Sequence, residues 1–336
     1  MSQPNPESWQ RMVLKSMPKP LWLTQEGPHR DVCLSTRVRI MRNLVGHRFP
    51  TFADPEELNG IMAEVLAATE AEKFESTKNL TNAERDYLVA SRLVSPEFPW
   101  TLPGRALLTN QERSLCVMVN EEDHVRAQAI LGGWNLDAAS PLVSGLIKRM
   151  AGKLDFCTHP KFGYLAASPP NCGSGRRTSI FFHLIGLAHS KRLPSVLQAL
   201  ATKNIVVRGL FGESSRAIGA FLQVSVLREE DAEFRGACEY LVQQERIARE
   251  DRLSGQLRTR ADQARDFALA NRTLSLADSV RILGWIRWAA AEKLSTFPAT
   301  VLSVDHVLAS LELRPTLGED AAGTTRADLI HQLCES

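Results

Sequence analysis

Four segments of this sequence lie beside apolar runs, and five of their six arginines and two of their three glutamates are candidates for chemistry: "LSTRVR", "VNEEDHVR", "GSGRRTS" and "VVRGLFGE". The planar fork of arginine binds phosphate oxygens in pairs and keeps its charge, so several arginines together could hold a polyanion. A pair of carboxylates could grip a guanidinium, orient it and relieve it of a proton for nucleophilic attack. The residues concerned are Arg37, Arg39, Arg126, Arg177 and Arg208, with Glu122 and Glu213.

Each of these residues, taken alone, could also have an ordinary role on the protein surface. A lone arginine beside an apolar run most often makes a surface salt bridge, and a lone glutamate in a turn is usually solvated. The loop "SPPNCGSGRRTS" could cradle phosphate with its backbone amides, but the chain has neither G-x-x-x-x-G-K-[ST] nor G-x-G-x-x-G between a strand and a helix. Any phosphate must therefore be held mostly by arginine side chains.

Two histidines and a tryptophan pair each have two interpretations. His124 could be a catalytic base, yet a histidine in an acidic turn also shapes that turn by hydrogen bonding. His183 in "IFFHLIGL" could touch a nucleotide base or serve in the core. Core packing is the default for Trp285 and Trp288, which are three residues apart in a helical segment.

Length and composition narrow the class of protein. A chain of 336 residues suits about two domains. With 40 Lys and Arg against 38 Asp and Glu, the net charge is +2, and the arginines are dispersed, which counts against a nucleic-acid binder. Six cysteines without a C-x-x-C pair indicate neither a zinc ribbon nor a disulfide framework, and there is no apolar run of membrane-spanning length. We expect a soluble protein of the reducing cytoplasm.

The elements that must position these residues are strands and helices interspersed through about residue 245. "DVCLSTRVRIMRN" is typical of a strand, on which residues 37 and 39 project to the same face. Several later segments have helical spacing, and beyond about residue 254 no strand signal appears. We predict a flexible lead-in over residues 1–26, a catalytic domain over 27–250 and an all-helical domain over 255–336.

Four segments resemble, in order, the active-site segments of the phosphagen kinases: "LSTRVR", "VNEEDHVR", "FGYLAASPPNCGSGRR" and "VVRGLFGE". Further stretches are most similar to the bacterial protein-arginine kinase branch of that family: "GPHRDVCLSTRVRIMRN", "SRLVSPE", "NEEDHVRAQ" and the C-terminal "TTRADLIHQL". The resemblance runs from about Gly27 to Ile330 and is strongest up to Ser225.

The resemblance implies an α+β fold, with a mostly antiparallel sheet flanked by helices and a small all-helical C-terminal domain. It also implies ATP-dependent phosphorylation of a guanidinium with magnesium, held chiefly by phosphates and water. Glu122 would orient and deprotonate the guanidinium, and Glu213 would be the second carboxylate on a loop that closes over substrate. The nucleotide phosphates would be clamped by Arg37, Arg39, Arg126, Arg177 and Arg208.

Only 36 residues precede Arg37, whereas phosphagen kinases of free creatine or arginine carry a helical domain ahead of this segment. An open site suits arginine presented on a protein, so protein substrates are the expected partners. Regulatory or protease-system proteins and a homodimer are left open as further partners. Neither nucleic acid nor a membrane is expected.

Several positions depart from the family pattern. Ser168 stands where the family usually has a cysteine, Arg176 replaces an apolar residue and Arg216 replaces an acid. In the branch's phosphoarginine-recognition motif, Ala322–Gly323 and His331 replace an Arg-Asp pair and an arginine. Two alternatives therefore stand beside the protein-arginine kinase: a degenerate homologue that binds ATP or phosphoarginine without transfer, and a kinase for a free guanidino metabolite.

Overall fold

The computed structural model describes residues 18–76, 80–200, 205–209, 217–227, 232–250, 254–311 and 318–335. Its strands are β1 (Cys33–Arg42), β2 (Glu75–Ser76), β3 (Ala106–Thr109), β4 (Leu115–Val119), β5 (Val125–Gly132), β6 (Thr158–His159), β7 (Gly163–Tyr164), β8 (Arg176–His183), β9 (Ile205–Gly209) and β10 (Phe221–Val226). Its helices are α1 (Pro55–Thr69), α2 (Asn82–Ala90), α3 (Leu136–Ala151), α4 (Ile185–His189), α5 (Leu193–Leu200), α6 (Ala232–Glu250), α7 (Ser254–Ala270), α8 (Leu276–Ala291), α9 (Val301–Leu308) and α10 (Glu319–Glu335).

Eight strands form one sheet in the order β2-β3-β4-β5-β1-β8-β10-β9, and each neighbouring pair is antiparallel. The strands β6 and β7 pair separately as a short ribbon. Helices pack on the sheet, and the described residues after Ser254 contain helices and no strand. The predicted α+β class, with a mostly antiparallel sheet flanked by helices, is confirmed.

Local signals place the first two long helices. Asp54 caps α1 by accepting hydrogen bonds from the backbone N–H groups of Glu56 and Glu57, and Pro55 occupies the first turn, where a missing N–H costs nothing. Thr81 and Glu84 form a reciprocal capping box at the start of α2. Both helices therefore begin where sequence rules expect them.

The sheet separates two apolar cores. One face of β1, with Val38 and Ile40, packs against α1, α3, α5 and α6. On the other side, Leu34 and Phe181 belong to a second core that includes α2 and the helices α7–α10. The C-terminal helices and α2 thus pack on the second face.

Two glycines allow α8 to approach the sheet closely. Gly219 has φ +64°, and a Cβ atom there would lie 2.4 Å from the carbonyl oxygen of Val280. A Cβ atom on Gly284 would lie 2.6 Å from the carbonyl oxygen of Gly219. Any larger residue would push α8 away from the start of β10.

Two parts of the structure differ from the prediction. No strand is predicted from residues 125–132, because "VRAQAILG" has too few β-branched residues to stand out, yet β5 joins β4 to β1 there. Within the predicted lead-in, Leu21–Leu23 form a helical turn and the Trp22 indole N–H donates to the carbonyl of Ser91. The partition into domains stays a prediction. None of the helices in the described ranges is long and apolar enough to cross a membrane.

Candidate active site

The antiparallel register places the predicted arginines on one face of the sheet. Residues directly opposite each other in antiparallel strands point to the same side. Arg39 on β1 lies opposite Arg177 on β8, and Arg126 on β5 lies opposite Met41 on β1. Because residues 37, 39 and 41 of β1 share a face, these four arginines share it too.

Arg208 joins the same face through two further strands. On β10, Gln223 lies opposite Phe181 of β8, and on β9 Arg208 lies opposite Gln223. Phe181 is four residues from Arg177 on one strand, so the side chains alternate back to the same side. We call this side of the sheet, with Arg37, Arg39, Arg126, Arg177 and Arg208, the arginine face.

Two arginines of the arginine face, Arg37 and Arg39, lie close to other arginines. Burial, and next the charge of Arg92, lower the pKa of Arg37 well below its ordinary value. Burial, and next the charge of Arg37, do the same to Arg39. The Nε atoms of both Arg37 and Arg39 are buried without a hydrogen-bond partner among the described residues. Buried cations of this kind favour an anionic ligand that accepts their hydrogen bonds.

Glu121 pairs with one of these arginines. Its carboxylate forms a salt bridge with Arg126 and accepts a hydrogen bond from the Ser95 hydroxyl. Burial raises the pKa of Glu121, but Arg126 and Ser95 outweigh burial, so the pKa is lowered overall. Glu121 therefore stays ionised and orients Arg126. The sequence does not single it out, because only its neighbour Glu122 matches the predicted role.

Glu122 lies in the turn between β4 and β5, at the Arg126 end of the arginine face. The turn is shaped by Asn120, whose φ is +53° and whose side-chain amide donates to the carbonyls of Leu58 and Gly104 at 2.9 and 2.7 Å. The Glu122 side chain is exposed, and its pKa is raised by partial burial and next by the charge of Glu121. A raised pKa makes a carboxylate a stronger base.

His124 shapes this turn. Its Nδ1 accepts the backbone N–H of Leu44 at 2.9 Å, and its Nε2 lies 2.8 Å from the carbonyl oxygen of Arg48. These partners require the neutral tautomer with the proton on Nε2. Burial lowers the pKa of His124, which also favours the neutral ring. Both nitrogens are engaged, so the interpretation of His124 as a catalytic base is not supported.

Asp123 connects the turn to the loop that carries Ser168. Its Oδ1 accepts from the Asn43 side-chain amide at 2.6 Å and from the backbone N–H of Ala167 at 2.7 Å. Ser168 follows directly and starts a 3₁₀ turn over Pro169–Asn171. The family's usual cysteine position therefore lies on a loop tied to the turn of Glu122.

The other substitutions have different surroundings. Arg176 points to the opposite side of the sheet, where its guanidinium contacts Ser140 and lies 3.2 Å from the Ser144 hydroxyl on α3. It is therefore not part of the arginine face. Glu213 and Arg216 lie outside the residues that the structure describes.

His183 and Trp288 are core residues. The His183 ring stacks on Phe221 with centroids 4.8 Å apart, and its Nδ1 lies 3.5 Å from a guanidinium nitrogen of Arg287. Trp288 is buried, and Trp285 packs edge-on against His189. The core interpretation holds for His183 and Trp288.

A sixth arginine, Arg92, also reaches the arginine face. It follows α2 and donates to Ser35 on β1 and to Gln223 on β10. Arg92 lies within "SRLVSPE", one of the stretches that resembles the protein-arginine kinases. Its spacing from the other arginines carries no signal, because a separate helix brings it to the sheet.

An antiparallel sheet with converging arginines on one face and a carboxylate at its end is suited to an enzyme that transfers a phosphoryl group. The family described as ATP:guanido phosphotransferase, C-terminal catalytic domain, matches residues 56–229. The protein-arginine kinase of Geobacillus stearothermophilus is 35% identical over 244 residues, covering 68% of this chain and 67% of that protein. The protein-arginine kinase of Halothermothrix orenii is 33% identical over 240 residues, covering 68% and 69%.

Solved structures of low sequence identity share the fold. The duplicated taurocyamine kinase from Schistosoma mansoni with bound transition-state analogue components has a TM-score of 0.58 at 21% identity, covering 67% of this chain and 36% of that one. Lombricine kinase has a TM-score of 0.55 at 19% identity, covering 68% and 71%. The chain belongs to the ATP:guanido phosphotransferase family and is an ATP:guanidino phosphotransferase.

Proposed function

We propose that this chain is a protein-arginine kinase, which transfers the γ-phosphoryl group of ATP to arginine side chains of proteins. The observation that carries the proposal is the convergence of five predicted arginines on one sheet face, with Glu122 in the turn at its end. Relatives named protein-arginine kinase, which align with 68% of the chain, support a protein substrate.

The arginine face binds the nucleotide phosphates. Phosphoryl transfer passes through a loose transition state, so catalysis is mostly positioning and stabilisation of charge on the transferring group. Arg126, oriented by Glu121, lies nearest to the turn of Glu122 and meets the γ-phosphate end. Arg37, Arg39, Arg177 and Arg208 extend the row of cations away from that turn.

Glu122 holds the substrate guanidinium and accepts its proton. A guanidinium is a poor nucleophile while protonated, because its ordinary pKa is above about 12. A carboxylate with a raised pKa both orients the group and is better able to take the proton. Glu213, which lies outside the described residues, is the second carboxylate by its position in the motif.

Magnesium enters with the nucleotide. Among the residues described, there is no group of three or more His, Cys, Asp or Glu side chains that could hold a metal ion. The arginine face suits a nucleotide that brings its own Mg²⁺, since that ion is commonly bound by phosphates and water. When bound with the nucleotide, Mg²⁺ would neutralise charge on its phosphates, beside the arginine face.

The cysteines support a cytoplasmic setting. All six cysteines are free, as suits a reducing cytoplasm.

Proteins that present arginine are the substrates. Regulatory or protease-system partners and a homodimer stay predictions from the sequence resemblance.

One assay tests the proposal. The chain is incubated with Mg-ATP and an unrelated unstructured protein, and phosphoarginine is sought by mass spectrometry under non-acidic conditions. We expect acid-labile phosphate on arginine. The variant Glu122→Gln should lower kcat by about 10²-fold or more, the scale of general-base loss, and keep nucleotide affinity.

A matched control separates this effect from a general change of charge. Glu97 is exposed and its charge reaches Glu122, so Glu97→Gln removes a neighbouring carboxylate outside the turn. We expect its turnover to equal that of the wild type. Phosphorylation of free guanidino metabolites but not of proteins would favour the metabolite kinase, and nucleotide binding without any transfer would favour the degenerate homologue.

A further inference from the structure

The loop between Ser95 and Gly104, which we call the rim loop, is fixed at both ends to the turn of Glu122. At its start, the Ser95 hydroxyl donates to the carboxylate of Glu121. At its end, the carbonyl of Gly104 accepts from the side-chain amide of Asn120 at 2.7 Å. Because Asn120 and Glu121 directly precede Glu122, the rim loop runs beside the turn that carries the candidate catalytic carboxylate.

The conformation of the rim loop is also fixed from within. The buried ring of Phe98 meets the ring of Trp100 edge to face, with centroids 4.7 Å apart. Gly104 has φ +68°, and a Cβ atom there would lie 2.5 Å from the backbone of α1. Pro99 and Pro103 further restrict the backbone. The loop is therefore rigid before any partner binds.

This rigid loop presents apolar side chains to solvent. Leu102 is 52% exposed, and Trp100 is half-buried. Single apolar residues are common on protein surfaces and by themselves indicate nothing. Leu102, however, is two residues from Gly104, so at most about 7 Å of backbone separates it from the contact with Asn120. The exposed apolar surface thus adjoins the candidate active site.

The carboxyl group of Glu122 lies close to the rim loop. Its pKa is raised by burial first, and then by neighbouring charges that include that of Glu97 in this loop. On the other side of the turn, Asp123 accepts from the backbone N–H of Ala167, just before Ser168. Glu122 therefore lies between the rim loop and the loop that contains Ser168.

The occupant that fits this surface is the part of a substrate chain beside the target arginine, an argument that rests on the proposed function. If the target guanidinium binds Glu122, residues two positions away lie within about 7 Å of that arginine in an extended chain and pass over the turn. A free guanidino metabolite has no such residues. A stable contact between two copies of this chain uses roughly 20–30 residues a side, far more than the rim loop contains.

We propose that Leu102 and Trp100 form a docking surface for an apolar side chain that lies next to the target arginine in a protein substrate. Burial of that side chain against the rim loop removes apolar surface from water and holds the guanidinium at Glu122. The rigidity of the loop means that little ordering opposes binding. The substrate class is arginine with an apolar neighbour.

The test uses serine- and glycine-rich peptides with one arginine, which carry either leucine or serine at one of the four nearest positions. Binding of labelled peptide is measured by fluorescence anisotropy with Mg-ADP present, and kcat and KM are measured separately. The variants are Leu102→Ser and the conservative Leu102→Met. Leu142→Ser is the matched control, because Leu142 is 40% exposed on α3, which packs on the opposite side of the sheet.

We expect the wild type to bind the best leucine peptide about threefold to tenfold more tightly than the serine peptide, the scale of partial burial of one apolar side chain. KM should fall by the same factor, and kcat should be unchanged. Leu102→Ser should weaken binding of the leucine peptide alone and so remove the difference. Leu102→Met should keep it, because methionine has a similar volume, and so should Leu142→Ser.

Three results would overturn the inference. The first is equal or absent binding of the two peptides by the wild type, and the second is a preference for leucine that survives in Leu102→Ser. The third is a changed oligomeric state of Leu102→Ser in sedimentation with the preference intact, which would assign the surface to a contact between copies. Binding needs no transfer, so a leucine preference in binding without phosphorylation of any peptide would contradict the proposed function alone.

Discussion

Two groups of arginines in this protein have opposite surroundings. On the arginine face, Arg37 and Arg92 share a neutral oxygen and pair with no carboxylate among the described residues. Between the sheet and the C-terminal helices, each buried arginine has an acid: Arg30 and Arg287 pair with Asp305 at 2.8 and 2.7 Å, and Arg249 pairs with Glu245 at 2.7 Å. We call Arg30, Arg249 and Arg287 the interface arginines.

Arg287 shows what pairing does. Its guanidinium is fully buried, and besides Asp305 it donates to the backbone carbonyls of Arg30 and Asp31 at 2.8 and 2.9 Å. These two residues lie shortly before β1, which begins at Cys33. The helices α8 and α9 thus hold the start of the strand that carries Arg37 and Arg39.

Glu245 has a similar role on α6. Its carboxylate accepts from Arg249 and from the backbone N–H groups of Gly186 and Leu187 at 2.8 and 2.9 Å, at the start of α4. The carboxylates of Glu245 and Asp305 thus offset the burial of the arginine charges at this interface. The comparison shows that burial alone does not distinguish a structural arginine from a binding one, because the guanidinium of Arg287 lies beside a carboxylate and that of Arg37 beside a neutral oxygen.

The largest effect is expected at the interface, from Asp305→Asn. The substitution keeps shape and removes the carboxylate shared by Arg30 and Arg287, which leaves two buried cations without a counter-charge. Loss of one partner of a buried pair typically costs about 3–5 kcal/mol in the free energy of unfolding. Chemical denaturation measures it. The control is Asp266→Asn, which removes the acid of an exposed pair with Arg265 and should lower the free energy of unfolding by less than about 1 kcal/mol. Equal losses of stability in the two variants would contradict the comparison.

On the arginine face, Arg37→Lys should lower turnover with little loss of stability. A point charge cannot reproduce the bidentate fork, and loss of a preorganised donor to a developing anion costs about 10²-fold in kcat. The variant should unfold at the wild-type temperature or above it, since Arg37 already has a buried Nε without a partner. The turnover rate is measured with saturating Mg-ATP, and the unfolding temperature is measured by thermal unfolding. Arg208→Lys is expected to behave likewise, and wild-type rates in both would return these arginines to a surface role.

His306, a histidine on α9, should make the stability of the fold depend on pH. Burial, and next the charge of Lys19, lower its pKa from 6.5 to about 4. Between those values the unfolded chain binds a proton that the folded chain does not, so stability is full above about pH 6.5 and is lost as the pH falls towards 4. The loss is at most about 3 kcal/mol. His306→Gln should reduce the fall in Tm between pH 7 and pH 4.5, and an identical fall in the variant would remove His306 as the cause.

The smallest effect is expected from free phosphoarginine on the C-terminal helices. The backbone of Gly323 is already engaged by Leu274 at 3.0 Å, and His331 contacts the carbonyl of Ala268 at 2.8 Å. Arg326 is buried, with Glu319 at 2.9 Å. Without the acid and the second permanent cation of the branch's motif, we predict no tight binding and no change in kinase activity. Calorimetry on the full chain and an assay with added phosphoarginine test this, and binding at low micromolar concentration or clear activation would contradict it.

Much of the fold follows from local sequence patterns. Helix starts at Pro55 and Asn82 have capping residues that act over three or four positions, and β1 has the composition of a strand. The strand β5 escapes prediction because its residues are stabilised by two neighbouring strands and not by their own propensity. His124 is likewise ambiguous in sequence, since its partners Leu44 and Arg48 are distant along the chain.

By itself, the sequence determined which residue types are available, which segments resemble active-site segments, and that positions 37 and 39 share a face, because a strand alternates with period two. The tertiary structure alone decided that Arg126, Arg177 and Arg208 join that face, since strand register sets contacts between residues far apart in the chain. The tertiary structure also decided which arginines have a carboxylate as a partner. Arg287 and Arg37 are the same residue type, but the packing of α9 brings Asp305 to Arg287, whereas the sheet places Arg37 beside the neutral oxygen of Gln223 and close to other arginines.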